Sequence, residues 1–137
     1  MTLSEFLSAY KYDGGRVVLD GWRELELGQT GDCEDFVWTV LCVIEGDPWK
    51  ALRSGRAEIH RVWGDKNKWF ARHLALWHED YGWIESDNRK WDFHLGYKLS
   101  YQIPMWLSRL AVWTGRSFQW LPSADGRKTN WGGAPKL

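Results

Sequence analysis

Apolar positions along this chain change their spacing near residue 57. Upstream they recur as helical faces. Thr2-Leu3-Ser4-Glu5 resembles a capping box and predicts a short amphipathic helix to about Tyr10, broken by Asp13-Gly14-Gly15. A short strand is expected over Arg16–Leu19, then a loop bearing Trp22. The strongly apolar run from Phe36 to Ile44 predicts a buried central helix from about Asp32 to Glu45, with Thr30 or Asp32 as its cap and Gly46 as its stop. Asp47-Pro48 reads as the N-cap and first residue of another helix, to about Ser54, ended by Gly55.

Downstream the period falls to two. Glu58–Trp63 alternates as a strand does, and Gly64-Asp65-Lys66-Asn67 is a turn. Lys68–His78 reads as strand, Glu79-Asp80-Tyr81-Gly82 as a hairpin turn, and Trp83–Ser86 as the return strand. Tyr97–Ile103 supplies a further strand that Pro104 ends. Met105–Trp113 has helical spacing and is expected to stop at Thr114-Gly115, with an irregular Gly-, Pro-, Ser- and Lys-rich tail beyond. Helices first and an antiparallel sheet afterwards make an α+β architecture.

Composition narrows the function classes. With 137 residues the chain reads as one domain that can bury a core without disulfide staples. Its 18 basic and 18 acidic residues give a formal net charge of zero, so no global field favours nucleic acid or an anionic membrane. The stretch from Gly115 onward is mildly basic and reads as a solvated tail. Cys33 and Cys42 fall nine apart on roughly opposed faces of the central helix, which makes them poor disulfide partners and suits a reducing compartment. Met1–Tyr12 carries no signal-peptide pattern, and no run of eighteen apolar residues occurs, so a cytoplasmic protein is expected. The 12 Trp are expected mainly to fill the core.

The chemistry concentrates in Gly31-Asp32-Cys33-Glu34-Asp35-Phe36. A cysteine in the first turn of a helix faces unsatisfied backbone N–H groups and the positive end of the helix dipole, and both favour the thiolate. Asp32, Glu34 and Asp35 oppose this unless paired or turned away. Asp32 and Glu34 are expected to cap the helix or complement its dipole, and Asp35 to join a hydrogen-bond network beneath the nucleophile. His73 and His78 are the candidate bases. They are an odd number apart, so on one strand only one of them can face Cys33. His73, away from the charged turn, is preferred, while His60 and His94 lack a convincing acid partner at strand spacing. The third group depends on hairpin register. A loop of three residues, Glu79–Tyr81, sets Asp87 opposite His73, and a two-residue loop sets Asn88 there. Either can hold the imidazole tautomer that accepts a thiol proton, and Asp87 is preferred because it better stabilises an imidazolium.

The Gly-Asp-Cys-Glu-Asp-aromatic run resembles the nucleophile motif of transglutaminase-like cysteine peptidases of the bacterial and phage branch. Arg72-His73-Leu74-Ala75-Leu76 and Gly82-Trp83-Ile84-Glu85-Ser86-Asp87-Asn88 match the family's later elements in order and spacing over about residues 20–105. The resemblance implies a papain-like fold with the cysteine helix packed on an antiparallel sheet, and a Cys33–His73–Asp87 triad. It also implies an oxyanion donor from Gln29 or Trp22 beside the Cys33 backbone N–H. The resemblance also implies the calcium site that some periplasmic relatives build from acids beside the cysteine, for which Asp32, Glu34 and Asp35 are the matching residues; otherwise no cofactor is expected.

The expected activity is a thiol hydrolase or acyl transferase on peptide or isopeptide bonds of a protein substrate. Nucleic acid and membranes are not expected partners. Two alternatives stand beside it. One is a peptidoglycan amidase or endopeptidase, which the missing Ser-Gly pair after Asp-Cys disfavours. The other is a non-catalytic partner-binding protein on the same fold, a phage structural protein or an inhibitor, for which the many Trp are suited.

Overall fold

The first three helices each begin where a short polar side chain satisfies a first-turn N–H. Thr2 Oγ1 accepts from the Glu5 N–H at 3.1 Å, Asp32 Oδ1 from Asp35 at 3.0 Å and Asp47 Oδ1 from Lys50 at 3.1 Å. Such caps contribute about 1 kcal/mol each, and they set the starts of α1 (Leu3–Ala9), α2 (Cys33–Ile44) and α3 (Pro48–Ser54). Gly55 closes α3 at φ 78°, a left-handed conformation that suits glycine. The computed structural model describes residues 1–12, 21–64, 73–86, 91 and 97–117; the expected strand over Arg16–Leu19, the turn at 64–67 beyond Gly64, His94 and the tail from residue 118 lie outside these.

Strands β1 (Ala57–Gly64), β2 (His73–His78), β3 (Gly82–Glu85) and β4 (Tyr97–Gln102) form one antiparallel sheet in the order β3-β2-β1-β4. With the helices, this makes the mixed α+β architecture expected from the change of period. The β2–β3 hairpin pairs His78 with Gly82, so its loop is the three-residue Glu79–Tyr81. Ile59, Leu76 and Ile84 align across three strands and join the core, as does Leu74.

The core lies between that sheet face and α2, which packs on β2 and β3, while α3 packs on β1 and α1 on α2. Phe36 sits 5.7 Å from Phe6 and 4.8 Å from Tyr10, ring centre to ring centre. Trp38 bridges Trp22 and Trp49 at 6.3 and 4.9 Å. Part of the expected Trp core is therefore present, but Trp106 and Trp113 are exposed. None of the described helices is long and apolar enough to cross a membrane.

One expected boundary is corrected. Helix α4 (Met105–Ser117) does not stop at Thr114-Gly115 but runs through both. Gly115 is there for close approach rather than termination. A Cβ at this position would lie 2.6 Å from the Trp22 carbonyl carbon, and one on Gly21 would lie 2.6 Å from the Gly115 Cα. The two backbones touch, and the Trp22 N–H donates to the Ala111 carbonyl at 2.9 Å.

Gly115→Ala tests this contact. In a free helix the change stabilises by roughly 0.5–1 kcal/mol. Here the clash is with backbone, and overpacking of about 1–3 kcal/mol outweighs it. Chemical denaturation is expected to show a net loss of stability; a gain would mean that α4 is not seated on Gly21.

Candidate active site

Asp35 organises the segment around Cys33. Its carboxylate is fully buried. Oδ1 accepts from the Arg23 backbone N–H at 2.9 Å, and Oδ2 from Arg23 Nη2 at 3.3 Å and the Asp32 N–H at 3.4 Å. With Asp32 capping in return, this is a reciprocal capping box, so Asp32 and Asp35 take the roles expected for them. A Cβ on Gly31 would meet Asp35 Oδ2 at 2.8 Å, so only glycine lets the chain pass so close before the cysteine. Tyr10 holds the same turn from α1, its hydroxyl donating to the Gly31 carbonyl at 2.9 Å. Glu34 is buried at the helix start. Among the described residues, no group of three or more His, Cys, Asp or Glu side chains could hold a metal ion, the Asp32–Glu34–Asp35 cluster included.

Cys33 is the first residue of α2, partly buried and not in a disulfide. Three sides of the helix are engaged elsewhere. Phe36 meets α1, Trp38 meets Trp22 and Trp49, and Asp35 and Thr39 accept from the N–H groups of Arg23 and Leu25 at 2.9 and 2.8 Å. By helical spacing Cys33 falls on the remaining side, in line with Val37 and Ile44. Cys42 differs in kind. Burial, then the neighbouring Glu24 carboxylate, push its thiol well above the ordinary range, so it stays protonated near neutral pH.

The histidines divide between the two sheet faces. Leu74, Leu76 and His78 alternate onto the α2 side, and His73, Ala75 and Trp77 onto the other. His78 has both ring nitrogens engaged. Nδ1 accepts from the Asp80 N–H at 3.1 Å, so the proton lies on Nε2, which faces Glu45 Oε1 at 2.7 Å. Glu45 is the C-cap of α2, so this contact joins the C-terminal ends of α2 and β2. At their N-terminal ends stand Cys33 and His73.

His73 Nε2 lies 3.0 Å from Glu85 Oε2, with the two side chains only 13% and 3% exposed. If the carboxylate holds the proton on Nε2, then Nδ1 of the neutral ring is the basic nitrogen. Glu85 was not among the expected residues. Its signal was the alternation Trp83–Glu85 on the face of His73, legible once the loop length fixes the register. That register is the three-residue-loop one; Asp87 and Asn88 themselves lie outside the described residues, as does His94. The expectation for His60 is corrected. Glu58, two positions earlier and hence on the same face, meets its Nε2 at 2.8 Å.

The two expected oxyanion donors are placed differently. The Trp22 ring is in the core and its backbone N–H is taken by Ala111. Gln29 Oε1 accepts from the Glu26 N–H at 3.0 Å, closing the turn before the cysteine and leaving the amide NH₂ as the donor end of the side chain.

Two predictions follow from these pairings. Removing one partner of a buried ion pair costs about 3–5 kcal/mol, against about 1 kcal/mol for a lost cap. Denaturant titration of Asp35→Ala is therefore expected to show a several-fold larger loss than Asp32→Ala, and equal losses would refute the tie to Arg23. The second concerns Glu45. Its hydrogen bond with His78, then those with Arg56, hold its carboxyl below the usual range. A depressed folded-state value gives stability that is present above the ordinary carboxylate value of about 4.3 and is lost as pH falls through the folded one. The urea midpoints of wild type and Glu45→Gln should thus converge as pH drops below about 4; a constant gap would exclude this linkage.

No protein-family model matches the chain, and neither a curated protein nor a solved structure matches it.

Proposed function

We propose that this protein is a thiol hydrolase or acyl transferase acting on peptide or isopeptide bonds, with Cys33 as nucleophile and His73 as base. The observation that carries the reading is that the first residue of the capped α2 is a thiol, while the first residue of β2 is an imidazole held by a buried carboxylate. In the proposed reaction the Cys33 sulfur, its proton passed to His73, attacks the carbonyl carbon. The oxyanion is received by the Cys33 backbone N–H and a further donor, for which the Gln29 amide is the candidate. His73 returns the proton to the leaving nitrogen as the C–N bond breaks. Water or an amine then takes the acyl group from sulfur.

The carboxylate partner of His73 in this scheme is Glu85, which takes the orienting role that the family resemblance implies for Asp87. Alternation turns His73 from the α2 core, so the proton transfer needs its ring to reach Cys33 around the first residue of β2. That requirement makes the reading sharp. A papain-like fold and a phage or cytoplasmic setting belong to the same proposal and rest on the motif resemblance alone.

The experiment is thiol alkylation by an iodoacetamide probe across pH. Cys42 stays protonated, so labelling near neutral pH is expected to vanish in Cys33→Ala. The rate in His73→Ala should fall about a hundredfold, the low end of the range for a lost general base of about 10²–10⁴. In Glu85→Gln the pH profile should move while the protein stays folded. Persistent labelling in Cys33→Ala, or an unchanged rate in His73→Ala, refutes the assignment.

A further inference from the structure

A surface helix ordinarily turns its large apolar side chains inward, and α4 carries apolar side chains on both faces. Leu107, Ala111 and Val112 pack on the core, with Ser108 buried beside them and Gly115 against the Trp22 backbone. The outer face of the helix carries Trp106 at 67%, Leu110 at 51% and Trp113 at 65% exposure. These stand at positions i, i+4 and i+7, one stripe about two turns long. The close approach of Gly21 explains the small residues within. It asks for nothing outside, where polar residues would serve as well. A contiguous apolar stripe kept in solvent marks a contact surface.

Charge decides what fits it. From Asp92 to Asp125 the chain has no intervening acid, and residues 93–137 hold six basic residues against one acid in a chain of zero net charge. Arg109 and Arg116, both exposed, lie along one flank of the stripe. A second copy paired antiparallel through this stripe would set that cationic flank against its like. Lipid recognition of this kind uses clusters of about four to eight cations. Among the described residues the flank has two, and Arg109 already lies 5.4 Å from the Trp49 ring. Trp and Arg are instead the residues that dominate protein–protein contacts. We propose that α4 docks a partner protein whose apolar groove, rimmed by carboxylates, receives Trp106, Leu110 and Trp113 while Arg109 and Arg116 meet the rim.

The test needs no thiol chemistry. Binders to the full chain are selected from a random library of short helical peptides. Their affinities are then measured for wild type, Trp106→Gln/Trp113→Gln and Arg109→Glu/Arg116→Glu, each variant first shown to unfold cooperatively. The recovered peptides are expected to combine Asp or Glu with Leu, Ile or Phe. They should bind both variants at least about tenfold more weakly, as hot-spot losses do. Added salt should weaken wild-type binding. Peptides without acidic bias, or affinities unchanged in the variants, overturn the proposal. So does self-association in sedimentation that the Trp substitutions abolish, which would give the stripe to a second copy. Retention on phosphatidylserine but not phosphatidylcholine vesicles, lost in the same variant, would give it to a lipid surface and overturn it equally. Should the Trp variant fail to fold, the charge-reversed variant decides the matter alone.

Discussion

A carboxylate buried as completely as that of Asp35 is costly by several kcal/mol unless its oxygens are answered by donors. Three N–H groups answer it, two from Arg23 and one from Asp32. From that requirement much of the surrounding geometry follows. Gly31 has no room for a side chain because Asp35 Oδ2 stands there. The segment at residues 21–25 must lie along α2 because Arg23 is pinned to its first turn and Leu25 to Thr39. Trp22, carried by the same segment, meets Trp38 with its ring and Ala111 with its N–H. A chain of contacts thus runs from the residue two after Cys33 to the back of α4.

The parts of this fold that were legible in the sequence are those set by local chemistry. Asp47-Pro48 and Gly55 bracket α3 because a cap, a fixed φ and a left-handed stop each act within one turn. The start of α2 was legible for the same reason. What could not be read were the contacts made at a distance. Gly115 looks like a helix stop on local grounds, and only the approach of Gly21 reveals its use. The Glu85 partner of His73 could not be read because pairing across a sheet depends on register, and register on the length of one loop, whereas Glu58 stands two before His60 on one strand face and needed no register. The choice between Asp87 and Asn88 rested on that loop length, and the loop found is the three-residue one.

The two sheet faces use histidine in different ways. On the α2 side His78 acts as a connector, accepting from the Asp80 backbone and donating to Glu45, which Arg56 also holds at 2.6 Å. A ring with both nitrogens engaged at the far end of α2 has no capacity left to take a proton from Cys33. On the other side, the pairs His73–Glu85 and His60–Glu58 each engage Nε2 with a carboxylate. Exclusion of His78 therefore rests on its hydrogen bonds and not on sequence spacing, and among the described residues His73 is the histidine at the N-terminal end of β2.

The same reasoning separates the two thiols, which share one helix. Cys42 sits beside a carboxylate, in surroundings that oppose ionisation twice over, by desolvation and by like charge. Cys33 shares its turn with three acids, which would oppose ionisation too if they stood unpaired. Asp32 and Asp35 do not: one is spent on the Asp35 N–H, the other on Arg23 and the Asp32 N–H. The capping box thus does two things with one set of bonds. It fixes the helix start at Cys33, and it gives the carboxylates of Asp32 and Asp35 donors that hold them in place. The role proposed for Cys33 requires its flanking acids to be answered in this way, and Asp32 and Asp35 are.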